Sequence, residues 1–188
     1  MSHVVQSLLT PHPDTWVSRF APLVYAGGTV LDLACGNGRH ARLFLETDHP
    51  VTAIDRSLTA MDSLKKRKGL ELIEADIENG PWPLEGRSFD CIVVVNYLHR
   101  PLLPILGQSL NPGGLLIYRT FGVGNEKYGK PSNPDFLLRP NELLDAFKEL
   151  EVIAFEAGDT GTAVVQRICA VRRPVTRSSG EEPLPLPV

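Results

Sequence analysis

Apolar positions along this chain fall into two repeating patterns. Short runs at 29–34 (TVLDLA), 51–55 (VTAID), 89–95 (FDCIVVV) and 114–119 (GLLIYR) are nearly continuous. Each is bounded by Gly, Pro, Asn or charged residues, as a strand buried on both faces of a parallel sheet should be. The run 70–75 (LELIEA) mixes Glu with Leu and Ile, which predicts an edge strand. Between the runs the spacing turns helical. A helix over 38–47 would bury Ala41, Phe44 and Leu45, and one over 58–67, capped by Ser57, would bury Leu58, Met61 and Leu64. A third is expected at 101–109. A fourth starts with Pro140 at its first position and carries Leu143, Leu144, Phe147 and Leu150 on one face. Residues 14–26 read as a short helix with Asp14 as cap, limited by Pro22.

The rest of the chain is punctuation. Residues 77–88 form a turn-rich crossover, Asn111-Pro112-Gly113-Gly114 a turn, and 120–139 a long loop. Two strand-like runs, 151–156 and 163–172, flank the turn GDTGT and predict an antiparallel hairpin. Strands alternating with helices give an α/β fold with right-handed crossovers. Residues 1–173 then form one domain, with 1–27 as a helical cover, and the Pro- and Ser-rich tail 174–188 is expected to be disordered.

Composition narrows the function classes. The 188 residues are 43% hydrophobic and 22% charged, enough for one domain with a substantial core. A net charge of −3 gives no broad basic surface for nucleic acid. The three cysteines, Cys35, Cys91 and Cys169, are scattered and lack metal-ligand spacing, so neither a disulfide framework nor a metal site is expected. No run has membrane-spanning length and the N-terminus lacks a secretory pattern; a cytoplasmic, soluble protein is the expectation.

The candidate chemistry begins at VLDLACGNGRH, residues 30–40. A strand carrying Asp32 runs into the small-residue loop Ala34-Cys35-Gly36-Asn37-Gly38 and then a helix. Asp55 ends the next strand. Glycines let a backbone approach a ligand, a helix start offers free N–H groups, and the second acid can accept both hydroxyls of a ribose. Gly36 to Ala41 also fits the dinucleotide spacing GxGxxA, which keeps an NAD(P)-dependent oxidoreductase as an alternative. Asp32 facing the site and the terminal hairpin speak against it.

The motifs taken together resemble the class I S-adenosylmethionine (SAM)-dependent methyltransferases. Asp32 to Gly38 matches their first motif, with Ala34 at its first glycine. Val51–Asp55 matches the second, Glu74-Ala75-Asp76-Ile77 the third and Phe89–Val95 the fourth, while Leu110–Gly114 resembles the turn before strand five. The match runs in order over 25–172 and is nearest to small stand-alone enzymes like the tellurite-resistance methyltransferases. The resemblance implies a Rossmann-like three-layer sandwich, with a seven-stranded, mostly parallel sheet and an antiparallel C-terminal hairpin strand. It implies SAM as cofactor and S-adenosylhomocysteine as product. The backbone around Ala34, Cys35, Gly36 and Gly38 would meet the methionine part, and Asp32 would support the loop and the ammonium end. Asp55 would bind the ribose, with Arg56 beside the adenine. Asp76 would take the adenine amino group, Ile77 would pack on the ring, and Asn96 would lie beside the methionine moiety. Alanine disfavours positive φ, so a left-handed requirement at Ala34 would set this loop apart.

Methyl transfer from a sulfonium needs alignment and exclusion of water, and a base only for a protonated acceptor. Asn96-Tyr97-Leu98-His99-Arg100 follows the central strand, where the acceptor should lie, and departs from the Asn/Asp-Pro-Pro-aromatic motif of amide and exocyclic-amine methylating enzymes. His99, with Tyr97, is the candidate catalytic pair; His99 packing at a strand end is the competing role. Arg100 could clamp an acceptor anion or form a surface salt bridge. The loop 120–139 reads as a lid, with Phe121, Tyr128 and Phe136 as walls and Lys127 and Lys130 as attractors of an anion. Trp16 and Phe20 could cover the cofactor or pack on the sheet. Lys65 to Lys68 suit a helix end, and Cys35 suits loop packing. The partner expected is a small-molecule methyl acceptor, for a monomer or homodimer. A SAM-binding protein without catalysis is the remaining alternative.

Overall fold

A computed structural model describes residues 12–173; the expectations for the first eleven residues and for the tail 174–188 lie outside the described residues. Seven strands form one sheet: β1 (Val30–Leu33), β2 (Val51–Asp55), β3 (Leu70–Glu74), β4 (Phe89–Val95), β5 (Leu110–Phe121), β6 (Glu151–Asp159) and β7 (Val164–Val171). Their order is β3-β2-β1-β4-β5-β7-β6. The ladders from β3 to β5 are parallel, and β7 runs antiparallel to both β5 and β6. The chain reverses between β3 on one side of β1 and β4 on the other, the switch point where α/β sheets bind ligands.

Period-two alternation splits the core between the two faces of the sheet. In β4, Cys91, Val93 and Val95 join α1 (Thr15–Phe20) and α2 (Arg39–Glu46) on one face through Trp16, Val17, Phe20, Ala41 and Phe44. Ile92 and Val94 join α3 (Leu103–Gln108) and α4 (Glu142–Ala146) on the other through Leu103, Leu106, Leu143 and Phe147. The result is the expected three-layer sandwich. β4 is buried along its whole length because both faces are covered, whereas β3 is only partly buried at the sheet edge.

Four expectations are corrected. Residues 58–67 form a 3-10 turn at Thr59–Met61 followed by turns, instead of a regular helix. Successive three-residue bonds (Leu58 to Met61, Met61 to Leu64, Leu64 to Arg67) bring Met61 and Leu64 down onto the Gly38 loop, and Lys65 to Lys68 would repel one another in a continued helix. The Asn111–Gly114 segment is a bulge inside a twelve-residue β5, not a separate turn: the partner of Phe89 is Leu110 and that of Cys91 is already Leu115. Pro140 lies outside α4, which is five residues long and starts after a left-handed Asn141. The helix expected over 14–26 ends as α1 at Phe20 and continues as a 3-10 turn through Pro22. Asp14 caps it as expected, accepting from the Trp16 N–H at 2.9 Å.

Candidate functional site

The loop between β1 and α2 turns left-handed three times, at Ala34 (φ 53°), Gly36 (φ 56°) and Gly38 (φ 71°). Ala34 therefore bears a left-handed conformation that costs an L-residue about 1–2 kcal/mol. Gly38 has no room for a side chain: a Cβ there would stand 2.7 Å from Leu64 Cδ1. The Cys35 N–H donates to the Ile54 carbonyl at 3.0 Å, and the Gly36 N–H donates to Asp55 Oδ2 at 2.8 Å. The loop is thus laid across the end of β2, and Asp55 pins it. Cys35 points into the core, so what it offers the loop's outer side is backbone.

Beneath the loop, Asp32 is buried and accepts the Ala41 N–H at 2.9 Å. Its other oxygen lies 3.8 Å from His40 Nδ1. Burial dominates both groups. It pushes the Asp32 carboxyl up to about 7, against the lowering by the Ala41 N–H and Arg39, and holds His40 down to about 3, with Arg39 adding to the effect. The His40 Nε2 accepts from the Asp14 N–H and Arg39 Nε, both at 3.2 Å, which leaves its proton on Nδ1, facing Asp32. Asp32 thus holds the first turn of α2, just after the loop, from inside the protein.

A cavity of about 230 Å³ opens at the ends of β1, β2 and β3. It brings together Ala34, Asp55, Arg56, Asp76 and Ile77, five of the residues singled out for cofactor binding, and adds Tyr97, Glu78 and Asn79. Asp76 organises its floor: Oδ1 accepts the N–H groups of Glu78 (3.0 Å) and Asn79 (3.1 Å), and Oδ2 accepts Asn79 Nδ2 at 3.0 Å. These bonds, the Asn79 side chain first, hold its carboxyl below its ordinary range. Ile77 supplies a buried apolar wall.

A second cavity, about 130 Å³, lies between the ends of β4 and β5 and the following loop. Glu78 and Tyr97 line both cavities, so they form the partition. Asn96, in left-handed backbone (φ 58°), also lines the second one, with Phe121 and Phe136 as its aromatic walls. The Tyr97 hydroxyl is buried and meets no partner at hydrogen-bonding geometry among the described residues. Burial first, and the Glu78 carboxylate next, push its pKa up.

Four residues expected beside the acceptor lie elsewhere. Arg100 is a strut: Nε and Nη2 hold Glu142 at 2.6 and 3.0 Å, and Nη1 and Nη2 hold the carbonyls of Asp135 and Leu137 at 2.6 and 2.9 Å. Its donors are committed to fixing the far end of the 120–139 loop. Tyr128 and Lys127 turn to the β6–β7 hairpin, where both hold Asp159, at 2.7 and 2.5 Å. His99 sits half-buried at the start of the 3-10 turn after β4, with no side-chain capping bond, and lines neither cavity. Trp16 and Phe20 pack on the sheet, the Trp16 indole donating to the Ile168 carbonyl at 3.2 Å. Sequence reading missed Glu78 and Asn79, although an Asx turn two and three residues after Asp76 is a local signal. It also missed Arg119, which donates to Asn96 Oδ1 and lies 3.8 Å from Asp14, a contact with no local signature. Among the described residues no His, Cys, Asp and Glu cluster could hold a metal ion, and no helix is long and apolar enough to cross a membrane.

Residues 30–114 match the family model described as a methyltransferase domain. The chain is 36% identical over 126 residues to a cypemycin N-terminal methyltransferase from a Streptomyces species, covering 59% of this chain and 49% of that protein. The chain therefore spans about half the length of the curated relative it matches. In overall fold it is similar to TehB from Haemophilus influenzae, with a TM-score of 0.66 at 18% identity, over 81% of this chain and 60% of that one. It is also similar to the 1,6-didemethyltoxoflavin-N1-methyltransferase from Burkholderia thailandensis, solved with its substrate and S-adenosylhomocysteine (TM-score 0.65, 17% identity, 92% and 82% covered).

Proposed function

We propose that the chain is a class I SAM-dependent methyltransferase, similar in fold to TehB, and that it transfers the methyl group of SAM to a small-molecule acceptor. The observation that carries this reading is the 230 Å³ cavity itself, where the left-handed loop, Asp55, Asp76 and Ile77 converge at the switch point of the sheet. The donor set fits the cofactor. Asp55 keeps lone pairs for ribose hydroxyls while pinning Gly36, and Ile77 offers an apolar face to a purine. Asp76 presents a carboxylate to an exocyclic amine, and the glycines at 36 and 38 let the loop backbone approach the methionine end. The cavity is smaller than the roughly 300–1,000 Å³ of ordinary ligand pockets. It suits the nucleoside half and leaves the reactive end toward Tyr97, at the partition.

The cofactor when bound supplies an electrophilic methyl group on a sulfonium. The protein's part is to hold an acceptor against that group and exclude water. Tyr97 does this from the partition: its hydroxyl stays protonated because burial raises its pKa, so it does not act as the base, and its oxygen offers a lone pair to a hydrogen of the acceptor. Phe121, Phe136 and Asn96 close the acceptor side. The β7 strand, antiparallel between β5 and β6, separates this sheet from the all-parallel order of dinucleotide-binding domains and disfavours the NAD reading.

Calorimetric titration tests the proposal. SAM and S-adenosylhomocysteine should bind and NADH should not. Asp55→Ala should weaken S-adenosylhomocysteine by at least about tenfold, since it loses the ribose acceptor and frees the Gly36 N–H together. Binding of NADH alone would sink the reading.

A further inference from the structure

Resting on that methyltransferase reading, we propose that the acceptor is a small primary or secondary amine, bound as its ammonium by the Glu78 carboxylate inside the aromatic walls of the 130 Å³ cavity. The cavity is small, about 130 Å³, and open at its mouth, so a single ring can sit in it. Among the described residues Glu78, itself exposed, is the one formally charged side chain lining it. The walls are Tyr97, Phe121 and Phe136, and an aromatic face attracts a cation within about 6 Å.

Three of the cations around this cavity are committed to other partners, and Lys130, exposed beside the lining residue Pro131, does not line it. Arg100 is clasped by Glu142 and two carbonyls, and Lys127 by Asp159. Arg119 sits over the Phe121 ring at 5.0 Å and donates to Asn96. Arg56 lines the cofactor cavity and does not line this one. A carboxylate or oxyanion entering here meets Glu78 with no compensating charge on the wall. An ammonium meets a carboxylate, aromatic faces and the Tyr97 hydroxyl oxygen, a free acceptor among the described residues.

The step balances in charge and atoms. The bound ammonium first loses one proton to water at the open mouth, leaving a neutral amine hydrogen-bonded to Glu78. The nitrogen lone pair forms the new bond to the methyl carbon as the carbon–sulfur bond breaks and its electron pair goes to sulfur. The positive charge passes from sulfur to nitrogen, where Glu78 pairs with it. Glu78 is thereby a specificity residue that selects the acceptor by charge.

The test uses ring compounds of one size, benzylamine, benzyl alcohol, benzyl mercaptan and benzoate, titrated into the full chain saturated with S-adenosylhomocysteine, and then assayed for methyl transfer from SAM. Benzylamine should bind and be methylated, and benzoate should do neither. Glu78→Gln should raise KM for benzylamine about tenfold or more with kcat changed less than about threefold, and Glu78→Asp should recover part of the loss. Benzoate or benzyl mercaptan turning over better than benzylamine would overturn the amine assignment, as would an unchanged KM in Glu78→Gln. So would failure of benzylamine and a panel of alkylamines with S-adenosylhomocysteine bound. Failure of S-adenosylhomocysteine to bind the unaltered protein would instead strike the methyltransferase reading beneath it.

Discussion

The two halves of the proposed site, one for cofactor and one for acceptor, are held by different kinds of contact. At the cofactor edge the fixing bonds are short in sequence: Asp76 to Asn79 spans three residues, Asp32 to Ala41 nine, and Asp55 to Gly36 nineteen. At the acceptor edge they are long: Arg100 to Glu142 spans 42 residues, Tyr128 to Asp159 31, and Gln166 to Arg139 27. One half is a set of strand ends that each carry their own turn. The other is a loop whose shape is borrowed from α4 and the β6–β7 hairpin. The cofactor edge should therefore fail by local strain, and the acceptor edge by loss of remote struts, each leaving the other standing.

The most damaging single change should be Gly38→Ala. The added methyl meets Leu64 within van der Waals distance, and the position needs φ 71°. Left-handed strain of about 1–2 kcal/mol adds to an overpacking cost of about 1–3 kcal/mol. We expect loss of about 3 kcal/mol by denaturant unfolding, with S-adenosylhomocysteine affinity falling in parallel. Normal cofactor binding in this variant would mean the loop is not the rigid part of the site.

The pair under that loop gives the next effect. In the folded protein Asp32 holds its proton up to about 7, against roughly 3.9 for a free Asp, so its contribution to stability falls as pH rises through that window. His40, held down to about 3 against roughly 6.5, contributes stability that grows as pH rises from about 3 to 6.5. Each slope is at most about 1.4 kcal/mol per pH unit, and between about pH 4 and 6.5 they oppose one another. Folding at pH 5 thus amounts to moving one proton from His40 to Asp32. Asp32→Asn should expose the rising slope and His40→Gln the falling one, relative to the unaltered protein, in unfolding curves at pH 4.5, 5.5 and 6.5. Equal slopes in all three proteins would refute the buried-pair account.

Arg100→Ala should break the acceptor edge alone. It removes a two-pronged ion pair and two carbonyl contacts from the base of the loop, which we expect to cost about 2 kcal/mol because the pair is only partly exposed. Acceptor turnover should fall at least about tenfold through KM, while S-adenosylhomocysteine affinity stays within about twofold. If cofactor affinity falls equally, the two edges are one unit and the contrast drawn between them is wrong.

The same contrast explains what could be read from the sequence. Four of the five parallel strands were legible because a strand buried on both faces writes a continuous apolar run, the edge strand β3 by its mixture of Glu with Leu and Ile, and the hairpin because its turn is local. Asp55 ends β2, and Asp76 and Ile77 follow the neighbouring β3, so topology alone gathers them on one cavity. Arg100 and Tyr128 were legible as chemistry and misread as position. Their partners, Glu142 and Asp159, come from elements that nothing near residues 100 or 128 announces. The helix expected at 58–67 failed for a related reason: Met61 and Leu64 are drawn onto Gly38, a contact with a distant loop, which overrides the local helical spacing.

The smallest effect should come from the one residue at which the cofactor edge departs from its own pattern. Ala34 occupies a left-handed backbone position where the family motif places glycine, and it lines the cofactor cavity. Ala34→Gly removes the steric penalty of a Cβ at φ 53° and adds the chain entropy that glycine loses on folding. The first is about 1–2 kcal/mol and the second roughly 0.5–1 kcal/mol, so the balance favours glycine by about 0.5–1 kcal/mol. Unfolding in denaturant should show that gain with no change in slope, and S-adenosylhomocysteine affinity should hold or rise slightly. A loss of affinity would show instead that the Ala34 methyl is a contact the cofactor uses, and that the departure from glycine at this position serves binding at the expense of stability.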